Sequence, residues 1–327
     1  MVDWGVITGV ASIVLYFGAL LFALASVGRQ IFESYYRLLQ TDAIEPSNKR
    51  KAILGATALL ALAAAAGIST WYYIIRFFVW TFVEQAGSDW RTWIIHSDLF
   101  VQAYRMVSKS PLHWFWSSQL LIFTCGFVSM LKCTGGRRPW TFALLGFLGA
   151  ISVATALFLA DWLCRNTTAQ KSTQQTSTSD QQAVGPVLGF SILLALASIT
   201  ANTLLDITTY TYVFNLIFLH VILLVALLPE PGRTRMRQVP VTLWLRGLAR
   251  FSLLYGLLQL LRIFRSNAHA GASGIAQNLI DVIFENVCQA SITLDLWFAL
   301  GAVLVFSLFA WSNWRGRVHS QMAKAAP

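Results

Sequence analysis

Charge is what this chain has least of: 12% of its 327 residues are charged, where a soluble domain carries about 25%. Only 14 of those residues are acidic. A water-soluble globule this large could not clothe its surface with so few polar groups, so a soluble fold is excluded. Cysteine is also sparse, at four residues. Cys125, Cys133, Cys164 and Cys288 form no CxxC pair, so their spacing supplies neither a disulfide framework nor a zinc site. A Gly-rich phosphate loop, HExxH, GxSxG and an Asp-rich diphosphate-metal motif are all missing. Most ATP-driven and zinc chemistries lose support accordingly, and neither a cofactor nor a metal is expected. The N-terminal residues show no basic n-region and no small-residue cleavage site, so the first apolar run is expected to act as an uncleaved signal anchor.

What the chain does have is oil. Hydrophobic residues make up 56% of it, gathered into runs near the roughly 20 residues that cross a hydrocarbon core. The expected fold is all-α, a polytopic integral membrane helical bundle. Its spans are read at 4–27, 52–80, 114–131, 140–163, two within 185–228, 241–264 and 293–311. A net charge of +10 is compatible with nucleic-acid binding, but Lys and Arg sit at the ends of the apolar runs. Lys49-Arg50-Lys51, Arg137-Arg138, Arg233-Thr234-Arg235-Met236-Arg237 and Arg315-Gly316-Arg317 are placed to anchor spans, not to form a groove-facing stripe. The expected partner is the lipid bilayer, with no nucleic acid. The charges after the first and third spans put the N-terminus outside or in the lumen. Strict alternation over eight spans would then misplace Arg233, Arg235 and Arg237, whereas seven would not, so seven and eight both stand.

The chain reads as one integral membrane domain over 1–327. An aromatic, mixed segment at 84–113 suits the headgroup region, where Trp and Tyr concentrate. A Ser/Thr/Gln-rich polar loop is expected at 165–184. It opens on the sequon Asn166-Thr167-Thr168, whose glycosylation at Asn166 would need a lumenal position.

Ionisable groups in lipid are costly and so mark candidate sites. Asp98, Asp161, Asp206 and Asp295 are the acids nearest to apolar runs, and Asp281 and Glu285 are spaced to share a helix face. An Asp at a span end also makes a helix cap, and a pair four residues apart also makes a solvated face. His96 and His113 lack a second ligand at helical spacing, and His220 is mid-span. The remainder is aromatic-rich and acid-poor, with 13 Trp, 9 Tyr and 22 Phe. Aromatic faces stabilise cations, and a desolvated carboxyl can deliver a proton. Acid-triggered polyene cyclisation needs both, but an inert membrane protein has the same composition.

One segment narrows this choice. Trp93-x-x-x-x-Asp98-Leu99-Phe100-x-x-Ala103-Tyr104-x-x-Val107, followed by Trp114-x-Trp116-Ser117-x-Gln119-Leu120, resembles a fungal family of polytopic membrane proteins of indole-diterpene and related terpenoid pathways. The membrane terpene cyclase-like proteins of the paspaline and lolitrem pathways belong to it. Gly149-Ala150-Ile151-Ser152-Val153-Ala154, the stretch from Phe214 through His220 to Pro229, and Ser291-Ile292-Thr293-Leu294-Asp295 are similar to further stretches of that family. Tyr104 stands where the family has Trp, and a Gly-Trp pair before Asp295 is lost. The resemblance implies secondary metabolism in the endoplasmic reticulum membrane and an apolar terpenoid substrate, prenylated or epoxidised. Other membrane-bound pathway enzymes are implied as partners. If the chain is an enzyme, the resemblance implies a terpene cyclase of isomerase or lyase type. Asp98 and Asp295 would then be the catalytic acids or acid-orienting groups. Trp93, Trp114 and Trp116 would line the cation path, and Gln119 would orient an acid or a water. The alternative is a non-catalytic transporter or pathway scaffold, although no half-repeat of the transporter kind is visible.

Overall fold

A computed structural model describes residues 4–42, 44–96, 99–133, 138–169, 221, 223, 241–266 and 271–325. Every regular element among them is helical. In order they are α1 (Trp4–Gln40), α2 (Pro46–Trp80), α3 (Trp90–His96), α4 (Leu99–Val107), α5 (Pro111–Cys133), α6 (Pro139–Leu148), α7 (Ile151–Ala169), α8 (Val241–Ser266), α9 (Gly271–Asp281) and α10 (Val287–Ala325). Within these elements, Trp4–Gln40, Pro46–Gln85, Pro111–Lys132 and Val287–Ala310 are long and apolar enough to cross a membrane. That fits an integral membrane protein. The stretch 185–228, read as two spans, lies outside the described residues apart from Val221 and Leu223.

The helices are apolar on more than their packing face. In α1 the buried residues Leu20, Ala23, Val27, Ile31, Ser34 and Leu38 recur every three or four positions, a single stripe. Leu15 and Leu21 on other faces are 74% and 63% exposed, and Leu304 and Leu308 of α10 are similarly bare. Apolar surface on this scale belongs in hydrocarbon, not water.

Small residues decide which helices form the centre. The buried face of α2 is mostly Ala and Gly, from Ala52 through Gly55, Ala56, Ala63 and Ala66, which lets backbones approach where no hydrophobic effect drives helices together. α2 packs there against α7 and α10, with α1 outside α6 and α7, and with α5 between α8 and α10. Gly55 is the tightest point: a Cβ there would lie 2.7 Å from Leu163 Cδ2 and 2.8 Å from Phe309 Cγ. Gly55→Ala is therefore expected to destabilise the bundle by roughly 1–3 kcal/mol through overpacking. At Gly67 the same Cβ would rest 3.7 Å from Val153 Cγ2, an ordinary contact, so Gly67→Ala should leave stability within about 0.5 kcal/mol of the wild type. Detergent-unfolding midpoints of the two variants check the contrast.

Local chemistry shapes the ends. α2 closes in a π turn, Thr81–Gln85, and the chain reverses through Gly87 and Ser88, both at positive φ. Asp89 then caps α3, accepting from the Thr92 amide at 3.0 Å and the Thr92 hydroxyl at 2.6 Å. Those bonds hold its carboxyl below the ordinary Asp range. The segment expected at the interface, 84–113, thus contains α3, α4 and the start of α5. The stretch 140–163, read as one span, is two helices. Gly149 and Ala150 both donate to the Leu145 carbonyl and end α6, and α7 begins afresh at Ile151. α7 also runs on to Ala169, placing Asn166 in its last turns, half-buried, with Thr168 Oγ1 donating to the Cys164 and Arg165 carbonyls. The rest of the loop expected at 165–184 lies outside the described residues.

Candidate functional site

Because α7 begins in the middle of the bundle, its first amides need acceptors far from water. Asp295 of α10 supplies them. Its Oδ2 accepts from the Ile151 amide at 3.1 Å, and its Oδ1 from the Ser152 amide at 2.9 Å and from the Ser152 hydroxyl. The carboxyl is 6% exposed. It is a cap delivered from another helix, and it also faces a cavity of about 290 Å³.

That cavity is bounded by α2, α4, α5, α10 and the α6–α7 turn. Its walls are mainly apolar and aromatic, including Phe77, Phe78, Phe100 and Trp114, with the phenols of Tyr16, Tyr73 and Tyr104. The volume sits at the lower end of small-molecule sites, which are apolar with a few placed polar groups. Among the described residues that line it, Asp295 is the only Asp or Glu. Among the described residues no three His, Cys, Asp or Glu side chains converge as a metal site would require.

The sequence-derived candidates divide. Asp295 and Trp114 meet on this cavity. Trp114 is 5% exposed. Trp93 does not line the cavity: it donates to Thr81 Oγ1 at 3.0 Å and packs edge-on to Phe78 and Phe82, fastening α3 to the end of α2. Trp116 likewise serves packing, donating to the Leu279 carbonyl at 3.0 Å with its ring edge-on to Trp297. Gln119 faces α8, where a Cβ on Gly256 would come 3.3 Å from its Nε2. Asp98 lies outside the described residues, although Leu99 and Phe100 beside it line the cavity. Ser152, Thr70 and Tyr73 carry no sequence signal of a site. The first stood in a motif stretch, and the other two stood in apolar runs where one hydroxyl carries little signal.

Two other acids are accounted for by packing. Asp161, 1% exposed, accepts from Ser34 Oγ at 2.6 Å and Arg165 Nε at 2.7 Å, joining α1 to α7 away from the cavity. Glu285 is exposed and accepts from Lys109 Nζ at 2.9 Å, while His113 Nε2 lies 3.3 Å from its other oxygen. This cluster ties the start of α5 to the turn before α10. The hydrogen bond from Lys109 holds the Glu285 carboxyl below the usual Glu range, with the nearby His113 and the Lys109 charge adding to it. A carboxyl whose folded pKa is depressed stabilises the fold above its unfolded pKa and loses that contribution as pH falls through the folded value. With Glu285 42% exposed, screening keeps the contribution below about 0.5 kcal/mol. Protection factors over 282–285, which correct for the intrinsic slowing of amide exchange in acid, are therefore expected to fall modestly below about pH 4, and Glu285→Gln should remove that fall.

No protein-family model, curated protein or solved structure matches the chain.

Proposed function

We propose that this chain is a multi-pass protein of the endoplasmic reticulum membrane, with seven or eight crossings. In this reading its cavity takes an apolar terpenoid and cyclises it by acid, in the manner of the terpene cyclase-like fungal proteins that residues 93–120 resemble. The observation that carries the reading is a buried carboxyl, Asp295, the only one among the described residues on the wall of an apolar, aromatic cavity. A carboxyl offers about four acceptor directions, and three are taken by Ile151 and Ser152. The fourth can hold a proton. Transfer of that proton to an alkene or epoxide of a prenylated substrate leaves a carboxylate, which the amides at the α7 N-terminus stabilise. The cation on the carbon skeleton lies among Phe77, Phe78, Tyr73 and Trp114, whose ring faces favour it. Loss of a proton from the final cation back to Asp295 closes the cycle, so substrate and product are isomers. Excluding water keeps the cation from ending as an alcohol.

A second reading keeps the membrane setting and drops the chemistry. The same three hydrogen bonds make Asp295 a structural cap, as a non-catalytic transporter or pathway scaffold would also use it. Expression in a terpenoid-producing host separates the two, with extracted metabolites compared against an empty vector. A new cyclic product isomeric with a linear precursor is expected. An unchanged metabolite profile, with the protein present in membranes, favours the scaffold.

A further inference from the structure

Four of the hydroxyl groups that line the cavity bond to main chain. Ser108, Ser117 and Thr124 donate to the Tyr104, Val107 and Leu120 carbonyls at 2.6, 2.6 and 2.8 Å, and Tyr16 donates to the Leu148 carbonyl. Bonding to nearby main chain is how a hydroxyl in an apolar helix satisfies itself. Thr70 departs from this. It lines the cavity, is 4% exposed, and its Oγ1 has no hydrogen-bond partner among the described residues. A buried polar atom left bare is costly, and its presence asks what would pair with it.

Its position gives the answer a direction. α2 and α10 run antiparallel: Gly55 meets Phe309, Leu62 meets Gly301, and Phe77 shares an apolar cluster with Cys288. Counting along both helices between those contacts brings Thr70 level with Asp295. Gly67, one turn before Thr70, faces Val153 at the start of α7. The unpartnered hydroxyl, the capped carboxyl and the first turn of α7 therefore mark one polar level of the cavity. Phe77 and Phe78 lie along its wall towards α4.

We propose that Thr70 receives an oxygen atom of the occupant, so that the cavity prefers an apolar lipid bearing an alcohol, carbonyl or epoxide to the bare hydrocarbon. This rests on the cavity being a ligand site, as argued above, and adds the polar group that site selects. The oxygen lies between Thr70 and Asp295, and the carbon skeleton runs along Phe77 and Phe78. An epoxide or alcohol held there has its oxygen beside the carboxyl that would protonate it. Thr70 is a binding and positioning residue in this arrangement, and it takes no part in proton transfer.

The test uses the full chain in lipid nanodiscs, with two probes of equal chain length: geranylgeraniol and the corresponding C20 polyene lacking the hydroxyl. Binding is read from tryptophan fluorescence, Trp114 being in the cavity wall. The wild type is expected to bind the alcohol roughly fivefold more tightly, one hydrogen bond's worth of discrimination. Thr70→Val, nearly isosteric, should bind both probes alike at the hydrocarbon's affinity. Thr70→Ser should keep the preference, which guards against misfolding of the valine variant. Equal binding of the two probes by the wild type, or an undiminished preference in Thr70→Val, overturns the role of Thr70 and leaves the cavity standing. Binding of neither probe removes the ligand site itself, and this proposal with it. Failure to make a cyclic product in the host bears on the chemistry alone.

Discussion

Asp295→Asn is expected to abolish the cyclic product while leaving the protein in the membrane, and Asp295→Ala is expected to unsettle the fold itself. The difference follows from the donors that Asp295 serves. Alanine would leave the Ile151 and Ser152 amides and the Ser152 hydroxyl without their acceptor. At roughly 1–3 kcal/mol for each bare buried group, and with partial relaxation, the loss should be about 3–4 kcal/mol. Asparagine is the same size and keeps one oxygen, so it can still serve the Ser152 donors. It turns an NH₂ towards the Ile151 amide and removes the charge favoured at a helix N-terminus, a loss of about 1–2 kcal/mol. What asparagine cannot do is deliver a carboxylic proton. General acid catalysis is worth about 10²–10⁴-fold, so product should fall at least a hundredfold. Ser152→Ala removes one donor and no proton, and should keep product within about tenfold of wild type. Full product from Asp295→Asn, with only a lower unfolding midpoint, would leave Asp295 as a cap and remove the proposed chemistry.

How far this site could be read in advance depended on the range of the interaction involved. The long helices follow from hydropathy alone, because each buries or exposes oil along its own length. Asp295 stood out because a carboxyl beside an apolar run is rare and costly. The break between α6 and α7 did not show, since 140–163 contains no proline and its glycines read as ordinary small residues in a span. The break is stabilised by a carboxyl 144 positions further along the chain, which no local pattern carries. The resemblance names Trp93, Trp114 and Trp116 together, but whether an indole lines a cavity or wedges two helices depends on its N–H partner. For Trp93 that partner is Thr81, and for Trp116 it is the Leu279 carbonyl. Thr70 was the hardest to see, because a threonine in a span becomes informative only when its hydroxyl is found without a mate.

Asp161 makes the opposite case, a buried acid whose work is wholly structural. Its carboxylate is the counter-charge of Arg165, whose side chain is three-quarters buried, and also the acceptor for Ser34 of α1. Asp161→Asn would turn one acceptor into a donor facing Arg165 or Ser34 and leave the guanidinium without its partner. Breaking a fully buried pair costs about 3–5 kcal/mol. Because Arg165 retains 25% exposure, the expected loss is nearer 2–3 kcal/mol. The penalty comes mostly from the orphaned charge, so removing that charge as well should return much of it. Arg165→Gln combined with Asp161→Asn is accordingly expected to unfold at a midpoint closer to wild type than Asp161→Asn alone. Neither variant should alter a cyclic product per folded molecule, since Asp161 does not line the cavity. A single Asp161→Asn variant unfolding within about 0.5 kcal/mol of wild type would mean that solvent already reaches the pair, and that α1 is held to α7 by apolar packing instead.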